Sequence, residues 1–148
     1  MARLLVIAHA PLASALHRVA QHTFPECAPS LSALDVTPDM TPEEVQAQAA
    51  QLLEPQGETL ILADVFGATP CNAAQRLADG TRVRVVAGVN VPMLWRTLCY
   101  AQEPIEALVE RALAGASQGV LQVGPTRPQQ QARGAADADA KSDRQDQQ

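Results

Sequence analysis

Four short apolar runs punctuate the chain: RLLVIA at 3–8, LSALDV at 31–36, TLILAD at 59–64 and RVRVVAGV at 82–89. Most of their positions are apolar on both alternating faces, the pattern of strands covered by helices on both sides rather than of a sheet with one wet face. The longer stretches between them carry helix-start signals. Pro11 stands just past the first run, TPEE at 41–44 reads as a threonine cap with a proline and two acids behind it, and TPCNAA at 69–74 repeats the Thr-Pro opening. Further helices are expected from about Pro92 in NVP and from Pro104 through IEALVERALAGA. This alternation predicts an α/β fold: an open, mainly parallel four-stranded sheet with helices on both faces. Right-handed crossovers from short strand–helix units lead to the order 2-1-3-4. GVLQVG at 119–124 reads as a fifth short strand at the C-terminal end.

Composition divides the chain of 148 residues. The segment from Pro125 to Gln148 contains no valine, isoleucine, leucine or aromatic residue and has nothing with which to build a core. The expectation is one domain over 1–124 and a polar, disordered tail over 125–148. The domain carries seven arginines, twelve aspartates and glutamates and no lysine, and this imbalance accounts for the net charge of −5. A nucleic-acid surface, which needs clustered basic residues, is therefore not expected. The missing lysine also excludes a P-loop lysine or a Schiff-base lysine in the domain, and no GxGxxG pattern offers a dinucleotide site. Cys27, Cys71 and Cys99 are odd in number, widely spaced and without a CxxC pair, and read as free thiols of a reducing compartment. The N-terminus has no signal-peptide pattern, and no segment approaches the ~20 apolar residues of a membrane span. The expected location is cytoplasmic, without direct insertion into a membrane.

Candidate chemistry gathers where strands end. In an open parallel sheet, ligands bind at the carboxyl ends of the strands, at the point where neighbouring connections leave in opposite directions. The first run leads to His9, the third to Asp64, and the fourth runs out through AGVNVP with Asn90 at its tip. If the first and third strands are neighbours, His9 and Asp64 flank that point. A carboxylate accepting from one imidazole nitrogen fixes the tautomer and leaves the other nitrogen outward as nucleophile or base. Thr69 and the helix opening at Pro70 add a hydroxyl and free N–H groups that suit an anionic phosphoryl group. No metal or other cofactor is expected, since His9, His17 and His22 lack HxxxH or Cys-His spacing. Structural roles stand beside these: a strand-end histidine held by hydrogen bonds, Asp64 capping a turn, Thr69 capping its own helix, Asn90 shaping a loop, and His17 and His22 as surface or packing residues.

Taken together, LLVIAHAPLASAL, LILADVFGATPCNAAQRL and VRVVAGVNVPMLWRTL, in this order and separation, resemble the IIA domain of the mannose family of the bacterial phosphoenolpyruvate-dependent sugar phosphotransferase system (PTS), over 1 to about 124. The resemblance implies a phosphohistidine carrier that accepts a phosphoryl group from the phosphocarrier protein HPr on His9, with Asp64 as its hydrogen-bonding carboxylate. It implies phosphoryl binding by Thr69 and by Phe66 and Gly67 of the preceding loop. It also implies a homodimer in which the fifth strand is exchanged. The sequence departs from the family at Ala10 and Ala68, where glycine is usual, at Val65, where threonine is common, and at Phe66, where tryptophan is common. The onward acceptor is expected to be a separate IIB domain, or the phosphorylation state serves regulation of a target. The alternative is a regulatory binding module of the same fold that needs no phosphorylation.

Overall fold

A computed structural model describes residues 1–126; most of the expected polar tail, 127–148, lies outside the described residues. The elements run β1 (Ala2–His9), α1 (Leu12–Thr23), a short 3₁₀ turn (Ala28–Ser30), β2 (Leu31–Val36), α2 (Pro42–Ala50), β3 (Glu58–Ala63), α3 (Thr69–Leu77), β4 (Val83–Ala87), α4 (Val91–Leu98) and α5 (Ile105–Gln118). The sheet is parallel throughout, in the order β2-β1-β3-β4. The four sheet strands and five α-helices stand where the hydrophobic pattern and helix-start signals place them, with ends shifted by one or two residues, and the strand order is the expected one.

The two faces of β1 explain why its run is continuous. Leu4, Val6 and Ala8 sit in one core with Ala13, Leu16 and Ala20 of α1, Met93, Leu94 and Leu98 of α4, and Leu108 and Ala112 of α5. Leu5 and Ile7 point the other way into a second core with Val45 and Ala49 of α2 and Ala73 and Ala74 of α3. Burial on both sides leaves no position for an alternating polar residue. The helix α2 begins as expected: the Thr41 hydroxyl accepts from the Glu44 N–H at 3.1 Å and the Glu44 carboxylate accepts from the Thr41 N–H at 2.9 Å. The pairing of α4 with α5 needs Gly115, because a Cβ there would lie 2.6 Å from Arg96 Cγ and 3.1 Å from the Pro92 carbonyl oxygen.

Two expectations are corrected. Cys27 and Cys99 are not free thiols: they form a disulfide with Cα atoms 5.3 Å apart, and among the described residues only Cys71, buried on α3, is free. The cysteine count thus no longer argues for a reducing compartment. Thr69 is the first residue of α3 rather than its cap, a position taken by Ala68 in an extended conformation. Residues 120–124 form no strand in the single chain, and Val120, Leu121 and Val123 stand 73%, 66% and 82% exposed. An isolated β pattern has no neighbour here to accept its backbone hydrogen bonds, so the pattern alone does not make a strand. No helix among the described residues is long and apolar enough to cross a membrane.

Candidate functional site

The sheet order makes β1 and β3 neighbours whose connections depart to opposite sides, one through α1 to β2 and the other through α3 to β4. His9 is the last residue of β1 and Asp64 the first beyond β3, so both emerge at the carboxyl edge of that switch point. There they join. Asp64 Oδ2 lies 2.7 Å from His9 Nδ1 and also accepts the His9 backbone N–H at 2.9 Å, while Oδ1 accepts the Val65 N–H at 2.8 Å. One carboxylate thereby fixes both the backbone and the ring of the histidine.

Exposure divides the pair by role. The Asp64 side chain retains 12% of its accessible surface and the His9 side chain 55%. The anion lies behind and the ring faces outward. Burial pushes the Asp64 carboxyl up, but the hydrogen bonds from the His9 N–H, the His9 ring and the Val65 N–H, with the nearby imidazole, outweigh it and hold Asp64 below its ordinary 3.8. An ionised carboxylate can only accept, so Nδ1 carries the proton and the lone pair of the neutral ring resides on Nε2.

The loop after Asp64 carries the other expected site residues. Gly67 has φ +93, a left-handed conformation favouring glycine, although a Cβ there would meet nothing within 4 Å. Ala68, at a usual glycine position, needs no such freedom, since its φ is −101. Phe66 is 77% exposed and Val65 50%. Neither aromatic nor aliphatic side chain can bind a phosphoryl oxygen, so these residues could offer only backbone N–H groups, alongside those opening α3. Thr69, half-buried at the first position of α3, does not spend its hydroxyl as that helix's cap.

Other candidates separate from this edge. Asn90 caps α4, its Oδ1 accepting the Met93 N–H at 2.9 Å and its Nδ2 donating to the Ala116 carbonyl at 3.3 Å, so it shapes the loop and ties α5 down. His17 lines a shallow pocket of about 360 Å³ with Gln21, Pro25, Ala28, Pro29 and Leu31, at the opposite, amino end of the strands. No group of three or more potential metal ligands forms among the described residues. One contact was missed from sequence: Asp35 of β2 accepts the Ser14 N–H of α1 at 3.0 Å. Its only signal was an acid interrupting an apolar run.

Comparison with known proteins bears on the family and the fold. The family model described as "PTS system fructose IIA component" (EIIA-man) matches residues 3–113. The chain is 38% identical over 81 residues to the PTS system mannose-specific EIIAB component of Escherichia coli (strain K12), covering 53% of this chain and 25% of that protein. It is 41% identical over 59 residues to the PTS system fructose-specific EIIA component of Bacillus subtilis (strain 168), covering 39% of this chain and 40% of the relative. Neither alignment reaches half of the relative's length. Among solved structures, the mannose/sorbose specific IIA subunit from Enterococcus faecalis superposes with a TM-score of 0.76 at 26% identity, over 84% of this chain and 96% of that one. The phosphotransferase system component EIIA from Streptococcus agalactiae shares the fold, with a TM-score of 0.74 at 19% identity over 82% and 97%.

Proposed function

The chain belongs to the PTS fructose/mannose-type IIA family, and from that premise we propose that it is a phosphohistidine carrier. His9 accepts a phosphoryl group from HPr and passes it to a IIB acceptor, or its phosphorylation state regulates a target. The observation that carries this reading is the 2.7 Å contact between Asp64 Oδ2 and His9 Nδ1 beneath a solvent-facing ring. The Nε2 lone pair attacks the phosphorus of phospho-HPr, the donor's N–P bond breaks, and its electron pair returns to the HPr imidazole. The new N–P bond leaves the His9 ring cationic, with the proton still on Nδ1 against the Asp64 carboxylate. That charge makes the ring a good leaving group for onward transfer, and positioning and electrostatics supply most of the rest. Thr69 and the N–H groups of the Asp64–Thr69 loop and the opening of α3 are the donors for the phosphoryl oxygens. A cytoplasmic location belongs to this reading, as does a IIA domain over 1–124.

Incubation with phosphoenolpyruvate, enzyme I and HPr, followed by weighing the intact protein, tests it. The wild type is expected to gain one acid-labile phosphoryl group and His9→Ala none, while His17→Ala and His22→Ala label normally. Thr69→Ala is slowed less than a variant lacking Asp64, because the helix N-terminus still faces the phosphoryl group. Labelling of His9→Ala at the wild-type rate would return His9 to a structural role, and a wild type that takes no phosphoryl group would favour the binding module.

The assembly proposed with this function is a homodimer. Among the described residues, strand β4 pairs only with β3, and the exposed Val120, Leu121 and Val123 follow α5 without a strand partner. Exchange of this segment between two copies covers an open edge in each. Light scattering should give a dimer for the chain and for a deletion of 126–148, but a monomer or aggregate for a deletion of 118–148. A monomeric full chain at micromolar concentration contradicts this assembly.

A further inference from the structure

We infer that Asp35 is a positioning residue for His9, acting as the missing cap of α1 from the neighbouring strand. Its kinetic consequence rests on the carrier reading, but its geometry does not. The register of β1 and β2 sets Asp35 beside Ala8 and Val36 beside His9. Ala8 faces the core beneath α1, so its registered partner Asp35 shares that face. The helix above it begins badly. The residue at its cap position, Pro11, makes no side-chain hydrogen bond, and the first intrahelical bond is the Ala15 N–H to the Pro11 carbonyl at 3.0 Å. The N–H groups of the first turn therefore need acceptors from outside the helix. Asp35 Oδ1 supplies one to Ser14 at 3.0 Å and sets a carboxylate at the positive end of the helix.

This contact completes a set of fastenings around the bend that presents His9. The His9 N–H is held by Asp64 beyond β3 at 2.9 Å, and the Ala10 N–H donates to the Val36 carbonyl of β2 at 2.9 Å. The Ser14 hydroxyl donates to the Pro11 carbonyl at 3.2 Å, which links the residue Asp35 grips to the bend itself. Asp64 sets the ring's tautomer; Asp35, through the first turn of α1, sets where the bend holds the ring. In-line transfer to Nε2 depends on that placement, and a displacement of about 1 Å can cost ~10²-fold in rate.

The test compares Asp35→Ala with Asp35→Asn, which keeps an oxygen acceptor for the Ser14 N–H, well below the unfolding temperature of each. Phosphoryl acceptance is followed over a range of phospho-HPr concentrations, and the His9 ring and Ser14 amide are followed by NMR in the unphosphorylated protein. Asp35→Ala is expected to lower the maximal rate roughly 10–10²-fold with little change in half-saturating HPr, and to shift the His9 and Ser14 resonances. Asp35→Asn restores most of the rate and the resonance positions, which a loss of stability alone does not explain. If the alanine chain does not fold, Asp35→Glu, one methylene too long for the same contact, carries the same expectation of a lowered rate. A folded Asp35→Ala with wild-type maximal rate, unmoved His9 resonances, or equal losses in the alanine and asparagine variants overturns the inference. A wild type that takes no phosphoryl group overturns the carrier reading alone, and the His9 resonances then decide the role of Asp35.

Discussion

Asp64→Ala accepts a phosphoryl group from HPr about 10²–10⁴-fold more slowly than the wild type, the range for a lost orienting or proton-handling group. Three contacts disappear together: to His9 Nδ1, to the His9 N–H and to the Val65 N–H. Without them the ring exchanges tautomers, and part of the population presents a protonated Nε2 that cannot attack. The cation formed on transfer also loses its counter-charge. Asp64→Asn keeps an acceptor but not the charge, so its rate falls between the two. The pH dependence of stability separates charge from shape. Because the folded-state value of Asp64 lies below the ordinary 3.8, its contribution is fully present above 3.8 and is lost as the pH falls through the depressed value. The stability difference between wild type and Asp64→Asn is therefore expected to hold constant at neutral pH and to shrink in acid below about pH 4. Rapid-quench labelling checks the rate and denaturant titrations at several pH values check the linkage. An Asp64→Ala rate within threefold of wild type would remove the carboxylate from the mechanism.

Opening the Cys27–Cys99 bridge lowers stability by about 4 kcal/mol, the chain-entropy value for a loop of this size. The bridge spans 72 residues and joins the connection between α1 and β2 to the end of α4. Its loss frees about half of the 148-residue unfolded chain from a long closed loop, and this gain in disorder opposes folding. Cys27→Ser with Cys99→Ser should shift the urea midpoint downward without abolishing the native spectrum, since both cysteines pack at the partly buried margin of the first core and outside the second. The single tryptophan, Trp95, reports the change locally: it meets Phe24 edge to face at 5.8 Å, three residues before Cys27. Alkylating the unfolded, unreduced chain should modify Cys71 alone, and all three cysteines after reduction. Modification of all three without reduction would show that the bridge does not form in solution.

The local code of this protein was readable wherever the cause lay within a few residues. LLVIA had to be a strand covered on both faces because a surface strand would expose half of it, and Thr41 with Glu44 had to begin a helix because each satisfies the other's backbone N–H. Strand order needed more than the runs: right-handed crossovers narrow the ways to connect four parallel strands, and the family resemblance pointed to 2-1-3-4 among them. Asp64 and His9 could be named as candidates because both lie at strand ends, but their hydrogen bond links residues 55 apart and exists only because β3 docks beside β1. The Asp35 contact depends likewise on β2 lying on the other side of β1 and on the first turn of α1 lying within reach of it. Cysteine spacing misled for a related reason: bridging depends on Cα separation in space, which 72 intervening residues conceal. Thr69 lost its place as cap because the turn through Gly67 brings Ala68 into the extended conformation, which moves the start of α3 by one residue. GVLQVG shows the limit most plainly. Alternation of apolar residues allows a strand, but a strand's backbone groups need a partner, and only the packing of whole elements determines whether one is within reach.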